Sequence, residues 1–288
     1  MSDDLTVTEA TAADWDTIAA WTAREGWNPG HGDASRFLPT DPAGFFVGRI
    51  DGRIVSAVSV VVYSPAYAFL GHYLVDEAYR GRGLGLATWK AALPHADGRV
   101  IGLDAVPAQQ AAYARSGFRP AYGNVRHVGR PAAVGTAAHG SSAAVPVAPH
   151  HHEAIAAYDL GCFPADRADF VRRWLTADGH TARVLLDPED PARVLGYGVI
   201  RPAHESHRVG PLFADTPEAA ATVFDALTAT LPADAEVAID IPDLHPAASA
   251  LATSRGLAPT WECLRMYTGD APDPRTEAVY GTTTLELG

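Results

Sequence analysis

A strand that runs into a glycine-rich turn and straight on into a helix constrains this chain more than any other stretch. From Tyr67 to Leu93 the sequence reads YAFLGHYLVDEAYRGRGLGLATWKAAL. An apolar strand, Ala68 to Val75, leads into the turn Arg80-Gly81-Arg82-Gly83-Leu84-Gly85. A helix follows, with apolar residues at helical spacing (Leu84, Ala87, Ala91, Leu93). Without Cβ atoms the turn can approach a phosphate closely, and the first-turn N–H groups have no helical partner to bond. Those groups and the helix dipole make an anion site, to which Arg80 and Arg82 add positive charge.

Three loop types fit such a turn to different degrees. A P-loop needs Gly-Lys-Ser/Thr at the helix start, and no Lys follows these glycines. A dinucleotide fingerprint has its acid in Asp104, about 20 residues on, but its third glycine falls on Leu86 or Thr88. The pattern Arg/Gln-x-x-Gly-x-Gly after a strand is met in full by Arg80, Gly83 and Gly85. This resembles the pyrophosphate loop of the GNAT acetyltransferases, which binds acetyl-CoA. The next strand, Arg99 to Val106, leads into a helix that starts near Pro107 and stops at Gly117. Its Tyr113, with Gly117 and Phe118, is similar to a second GNAT signature, in which the Tyr hydroxyl lies near the cofactor sulfur and can protonate the departing thiolate. Without that context, Tyr113 reads as a half-buried helix aromatic.

With 288 residues and 47% hydrophobic content, the chain has enough material for two domains. The 22 basic and 34 acidic residues leave a net charge of −12, which argues against nucleic acid as a partner. The same charge would steer a cationic amine inward, and it serves solubility equally well. Cys162 and Cys263 make no disulfide framework and fit a reducing, cytoplasmic setting. The first residues, MSDDLTVTEA, lack the features of a signal peptide, and no apolar run is long enough for a bilayer, so no membrane is expected.

In chain order, Leu5 to Glu9 reads as a strand and Thr11 to Arg24 as an amphipathic helix. Phe45 to Ile50 and Arg53 to Tyr63 form a hairpin about the Asp51-Gly52 turn. Together with the Tyr67 strand they predict an antiparallel meander in an α+β domain over residues 1–130. The segment 131–144, PAAVGTAAHGSSAA, has the composition of a linker. Residues 145–288 echo the first half weakly: Ile155-Ala156-Ala157-Tyr158 answers Ile18-Ala19-Ala20-Trp21, and Gly256 and Pro259 answer Gly117 and Pro120. Glu25 to Gly30, Asp41-Pro42, Leu103-Asp104, Arg265-Met266-Tyr267 and the final Thr283 to Gly288 resemble two-domain GNAT proteins whose C-terminal half is degenerate. The resemblance covers nearly the whole chain. It implies two tandem GNAT-like domains of mixed α/β type, each a largely antiparallel sheet flanked by helices.

The second half differs where chemistry would occur. In place of the glycine turn it has PLFADTPEAA, in which Asp215 and Glu218 satisfy the helix dipole themselves and would repel a pyrophosphate. Ala252 stands where the first half has Tyr113. This half is expected neither to bind CoA nor to catalyse; it either walls the acceptor site or only stabilises the first domain.

The resemblance implies direct acetyl transfer to an amine. The cofactor-binding set is Leu74, Val75, Arg80, Gly81, Arg82, Gly83, Leu84, Gly85 and Gln110, with N–H groups near Leu74 and Val75 holding the carbonyl. Tyr113 is the acid of a catalytic set that includes Asp104 and His72. Asp104 is a base or a helix cap, and His72 a base or a packed core residue. Glu25, Trp27 and Asp33 lie in a loop where they would hold a cationic acceptor, unless its Gly and Pro serve rigidity alone. His150, His151 and His152 diverge as consecutive residues and suggest no metal. The expected function is acetyl-CoA-dependent N-acetylation of a small primary amine. A protein N-acetyltransferase and a non-catalytic acyl-CoA-binding module remain as alternatives, and homodimerisation stays open.

Overall fold

The Asp51-Gly52 turn starts the sheet. Both residues take positive φ (49° and 79°), as a tight hairpin turn requires. They join β2 (Phe45–Ile50) to β3 (Arg53–Val62), with Ile50 opposite Arg53. The computed structural model describes residues 4–132, 143–272 and 274–288, so most of the linker segment lies outside the described residues. β1 (Thr6–Glu9) pairs on the outer side of β2, and β4 (Tyr67–Val75) continues the meander on β3. α1 (Trp15–Arg24) packs against this sheet through Trp15, Ile18 and Trp21, and is followed by the short α2 (Ala34–Phe37). The predicted helix start at Thr11 is instead a 3₁₀ turn, Ala12–Asp14, held by the Asp14 carboxylate accepting from the Thr11 N–H at 2.8 Å.

After the glycine turn come α3 (Leu84–Ala92), β5 (Val100–Ala105), α4 (Gln110–Arg115) and β6 (Arg119–Gly129). β5 lies parallel to β4, and the ladder ends at the Leu70–Leu103 pair. Beyond it the strands part. His72, at φ 47°, lies where the β3–β4 register shifts, so an irregularity in β4 accompanies the parting.

The second half runs β7 (Val145–Pro146), α5 (His152–Cys162), α6 (Ala168–Leu175), β8 (Thr181–Leu186), β9 (Val194–Pro202), β10 (His207–Ala214), α7 (Pro217–Thr228), β11 (Val237–Pro242), α8 (Pro246–Ser254), β12 (Leu257–Tyr267) and β13 (Val279–Gly281). Its β10 and β11 are again parallel, paired from His207 to Val209, and then part. One sheet runs through both halves in the order β1-β2-β3-β4-β5-β12-β6-β11-β10-β9-β8-β7, with β13 on β10. Read outward from its centre, the order is the same in both directions.

That order means that the halves exchange their last strands. β12 pairs with β5 of the first half, with Arg265 opposite Asp104, and β6 pairs with β11 of the second, with Arg126 opposite Asp240. A boundary at residue 130 therefore divides the sequence but not the sheet. The core is shared as well: Trp15, Phe37 and Leu74 belong to one buried cluster with Trp174, Tyr197, Phe213 and Leu287. Buried ion pairs cross the same junction, among them Asp33 with Arg201 and Asp104 with Arg265.

Candidate functional site

The glycine turn has the backbone that the sequence implies. Gly81 and Gly83 take φ of 75° and 78°, where a side chain is strained, and a Cβ on either would project into open space. Gly83 precedes α3 with no side-chain cap, so the first-turn N–H groups of that helix are left for another partner. Gly85 is required for a different reason: a Cβ there would lie 2.7 Å from Val75 Cγ2 and 2.9 Å from the Tyr73 hydroxyl. An anion can therefore approach this cradle without meeting a side chain.

The cleft runs from the turn to where β4 and β5 part, and has a volume of about 590 Å³. Leu74, Val75, Arg80, Gly81, Gly83, Leu84 and Gly85 line it, together with Tyr73, Tyr79, Val106, Gln109 and Trp261. The Asp76 N–H bonds to Val55 on β3 at 3.0 Å, so strand alternation turns the main-chain N–H groups of Val75 and Tyr73 toward the cleft. Arg80 is fixed at the mouth, donating from Nε to the Val75 carbonyl at 3.1 Å and pairing with Glu25. The Arg82 guanidinium sits 5.0 Å from the centre of the Tyr79 ring.

Deeper in, a second chamber of about 60 Å³ opens between the halves. It shares Trp27, Tyr73, Val106, Gln109 and Trp261 with the cleft. Its other walls are Leu70, Gly71, His72, Leu103, Asp104, Tyr113, Arg126, Leu285 and Glu286. Tyr113 is buried against Trp89, Tyr73 and Phe118, and this burial pushes its hydroxyl well above the usual phenol range. It therefore keeps its proton at any ordinary pH.

Several expected residues have other employment. Asp104 borders the chamber, but both carboxylate oxygens accept from Arg265, at 2.9 and 2.8 Å, and Oδ1 also accepts from Asn124. It is neither a free base nor a helix cap; the residue at the cap position before Pro107 is Val106. His72 is 4% exposed, faces Ser59 at 3.1 Å and is ringed by Trp15, Phe37 and Phe45. Burial holds its pKa down to about 4, so it is a neutral packed histidine in the chamber wall. Glu25 is at the mouth of the cleft, where it pairs with Arg80. Asp33 lies outside both spaces, accepting from Arg201 and from the Gly30 N–H. Of that loop only Trp27 reaches the chamber. Gln110 opens α4 but does not line the cleft; Gln109, the last residue of the preceding 3₁₀ turn, does.

Sequence reasoning missed Tyr73, Trp261, Arg126 and Glu286. Tyr73 stood in plain view within the strand, whereas the others come from strands and a terminal segment that only the strand exchange brings here.

The corresponding gap in the second half is filled. β13 pairs with β10 at Leu212 and Phe213, and the Thr282 N–H bonds to the Asp240 carbonyl at 2.9 Å, so the chain itself occupies the space where β10 and β11 part. The Thr216 side chain caps α7, and Asp215 accepts from Tyr158 and Arg275. In this half β13 and the Thr216 cap thus take up the places that the first half leaves open at its glycine turn.

Two parallel strands that part over a glycine cradle, repeated once in degenerate form, define a tandem acyltransferase. The chain belongs to the GNAT family of acetyltransferases. Residues 12–118 match the acetyltransferase (GNAT) family and residues 155–281 an acetyltransferase (GNAT) domain. It is 28% identical to the holothin acyltransferase of Pseudoalteromonas sp. (strain SANK 73390), over 97% of this chain and 93% of that protein. Its fold is similar to that of a putative acetyltransferase from Pyrococcus horikoshii, with a TM-score of 0.80 and 20% identity over 100% of this chain and 97% of the other. It also resembles a tandem GNAT protein from the clavulanic acid biosynthesis pathway, with a TM-score of 0.67 and 16% identity over 93% of this chain and 100% of that one. No helix among the described residues is long and apolar enough to cross a membrane.

Proposed function

We propose that the protein is an acetyl-CoA-dependent N-acetyltransferase that acetylates a primary amine on a small molecule by direct transfer. The observation that carries this reading is the joining of a glycine-cradled cleft to a small chamber across Tyr73, Trp27 and Trp261. The α3 N-terminus with Gly81 and Gly83 would hold the pyrophosphate, and the main-chain N–H groups of Val75 and Tyr73 would orient the acyl carbonyl. Acetyl-CoA, when bound, supplies a thioester-activated acetyl group. Tyr113 holds its proton beside the chamber and serves as the acid.

A small acceptor is favoured over a protein because the second half closes the far side. Trp261 of β12 and Leu285 and Glu286 of the terminal segment stand where a peptide groove would need open space. The relative that acts on holothin by its name supports a small acceptor too.

Calorimetric titration with acetyl-CoA, repeated on Gly83→Glu, tests the reading, with thiol release from a panel of primary amines as the assay of transfer. One site per chain is expected, abolished by the substitution. Two sites would mean that β13 does not close the second half, and no binding would overturn the assignment.

A further inference from the structure

Glu286 is a buried carboxylate with only half of its bonding capacity used. It is 5% exposed, and Oε1 accepts from Arg208 at 3.1 Å, while Oε2 has no hydrogen-bond partner. A buried carboxylate oxygen left unpaired costs about 1–3 kcal/mol or more, so it calls for an explanation. Its setting supplies one. The terminal segment brings Glu286 to the wall of the small chamber, and its main chain packs on Gly71, just past the last pair of the β4–β5 ladder. Across the chamber stand Tyr113, Tyr73, Trp27 and Trp261.

The other acids near this point are spoken for. Asp104 is held by Arg265 and Asn124, Asp240 by Arg126 and Arg208, and Asp33 by Arg201. Burial would raise the Glu286 carboxyl, but Arg208 and its neighbours outweigh it and hold the group below the usual carboxylate range, so it borders the chamber as an anion at neutral pH. Aromatic walls beside a carboxylate suit an ammonium or amine nitrogen, which gains from both, and the Arg126 cation in the same wall is neutralised by Asp240. The Pro-Gly loop around Trp27 is thus one wall of the acceptor site, and its counter-ion comes from the opposite end of the chain.

We propose that Glu286 is the acceptor-binding carboxylate of this enzyme, its Oε2 taking an N–H of the incoming amine at the floor of the chamber. This rests on the N-acetyltransferase reading for the identity of the ligand. It adds a residue supplied by the terminal segment, which makes the second half necessary for acceptor recognition as well as for folding.

Methylammonium, small enough for the chamber, is the probe. Crystals of the full chain soaked in methylammonium chloride are expected to show the ion within hydrogen-bond distance of Oε2. In solution, its affinity should fall at least tenfold in Glu286→Gln and less in Glu286→Asp, with acetyl-CoA binding unchanged in both. A water alone at Oε2, or equal affinity in Glu286→Gln, would overturn the proposal. If the variants do not fold, the soaked wild-type crystals still decide it. Failure of acetyl-CoA to bind the wild type would sink the enzymatic reading instead, and leaves the methylammonium result to judge Glu286 on its own.

Discussion

The main-chain carbonyl of Glu286 rests on Gly71 so closely that a Cβ on Gly71 would lie 2.0 Å from the carbonyl oxygen. The obstacle is backbone, which cannot swing aside. The end of the chain is thus fitted against β4 at the point where the strands part, and the smallest side chain would dislodge it.

Gly71→Ala should therefore destabilise the fold by about 1–3 kcal/mol, the usual range for overpacking. Because it shifts the terminal segment, it should also weaken binding of the acceptor while sparing that of acetyl-CoA. Denaturant unfolding and calorimetry on the same variant test the two effects. Wild-type stability would show that the segment docks elsewhere.

Tyr113→Phe removes one hydroxyl and leaves the ring packed on Trp89 and Phe118. We expect unchanged acetyl-CoA affinity and a fall in kcat of about 10²–10⁴-fold, the range for losing a positioned acid. Unchanged turnover would transfer the acid role to another group, with Tyr73 the nearest candidate.

Asp104→Asn should act through stability. Arg265 is buried, and losing the charge of its partner leaves it uncompensated at a cost of about 3–5 kcal/mol. The double variant Asp104→Leu/Arg265→Met should recover much of that loss. Unfolding measurements on the three proteins check this, and the pH profile of kcat at low temperature should keep its wild-type shape. A profile that loses its acidic limb would restore Asp104 as a base.

Two histidines, one buried and one half-buried, set an acid limit. His72 and His180 are each held at about 4 by burial, below an ordinary value of 6.5, so the unfolded chain binds protons that the folded chain refuses. Their contribution to stability is complete above pH 6.5 and is lost as pH falls toward 4, with a slope of about 1.4 kcal/mol per pH unit for each missing proton. His72→Gln should flatten this dependence between pH 6.5 and 4 relative to wild type. An unchanged difference across that window would mean that His72 takes up its proton in the folded state.

Local chemistry was legible in the sequence, and long-range pairing was not. The Asp51-Gly52 hairpin and the glycine turn rest on backbone rules that act within a few residues. The sequence signal for Gln110 missed by one place because the helix after Pro107 opens with a 3₁₀ turn, which rotates Gln109 into the cleft. Asp104 looked free because Arg265, its partner, is 161 residues away. Apolar residues at alternate positions in β12 (Leu257, Pro259, Trp261, Cys263) suit a strand without saying which edge it will join, and β6, with Asn124, Arg126 and His127 buried, lacks even that pattern. The contribution of Glu286 depends on that choice, so no local signal could assign it.

Exchange of β6 and β12 makes the two halves inseparable as building blocks. Expressed alone, residues 1–130 would present β5 with a bare edge and carry β6 as a strand with no sheet of its own, an invitation to aggregate. Proteolytic nicking between 133 and 142 would have the opposite result: the fragments would hold together through paired strands and a shared core. Trading the second half for another would keep the cleft's surroundings only if the newcomer returned a strand beside β5, a tryptophan and a carboxylate to the same places.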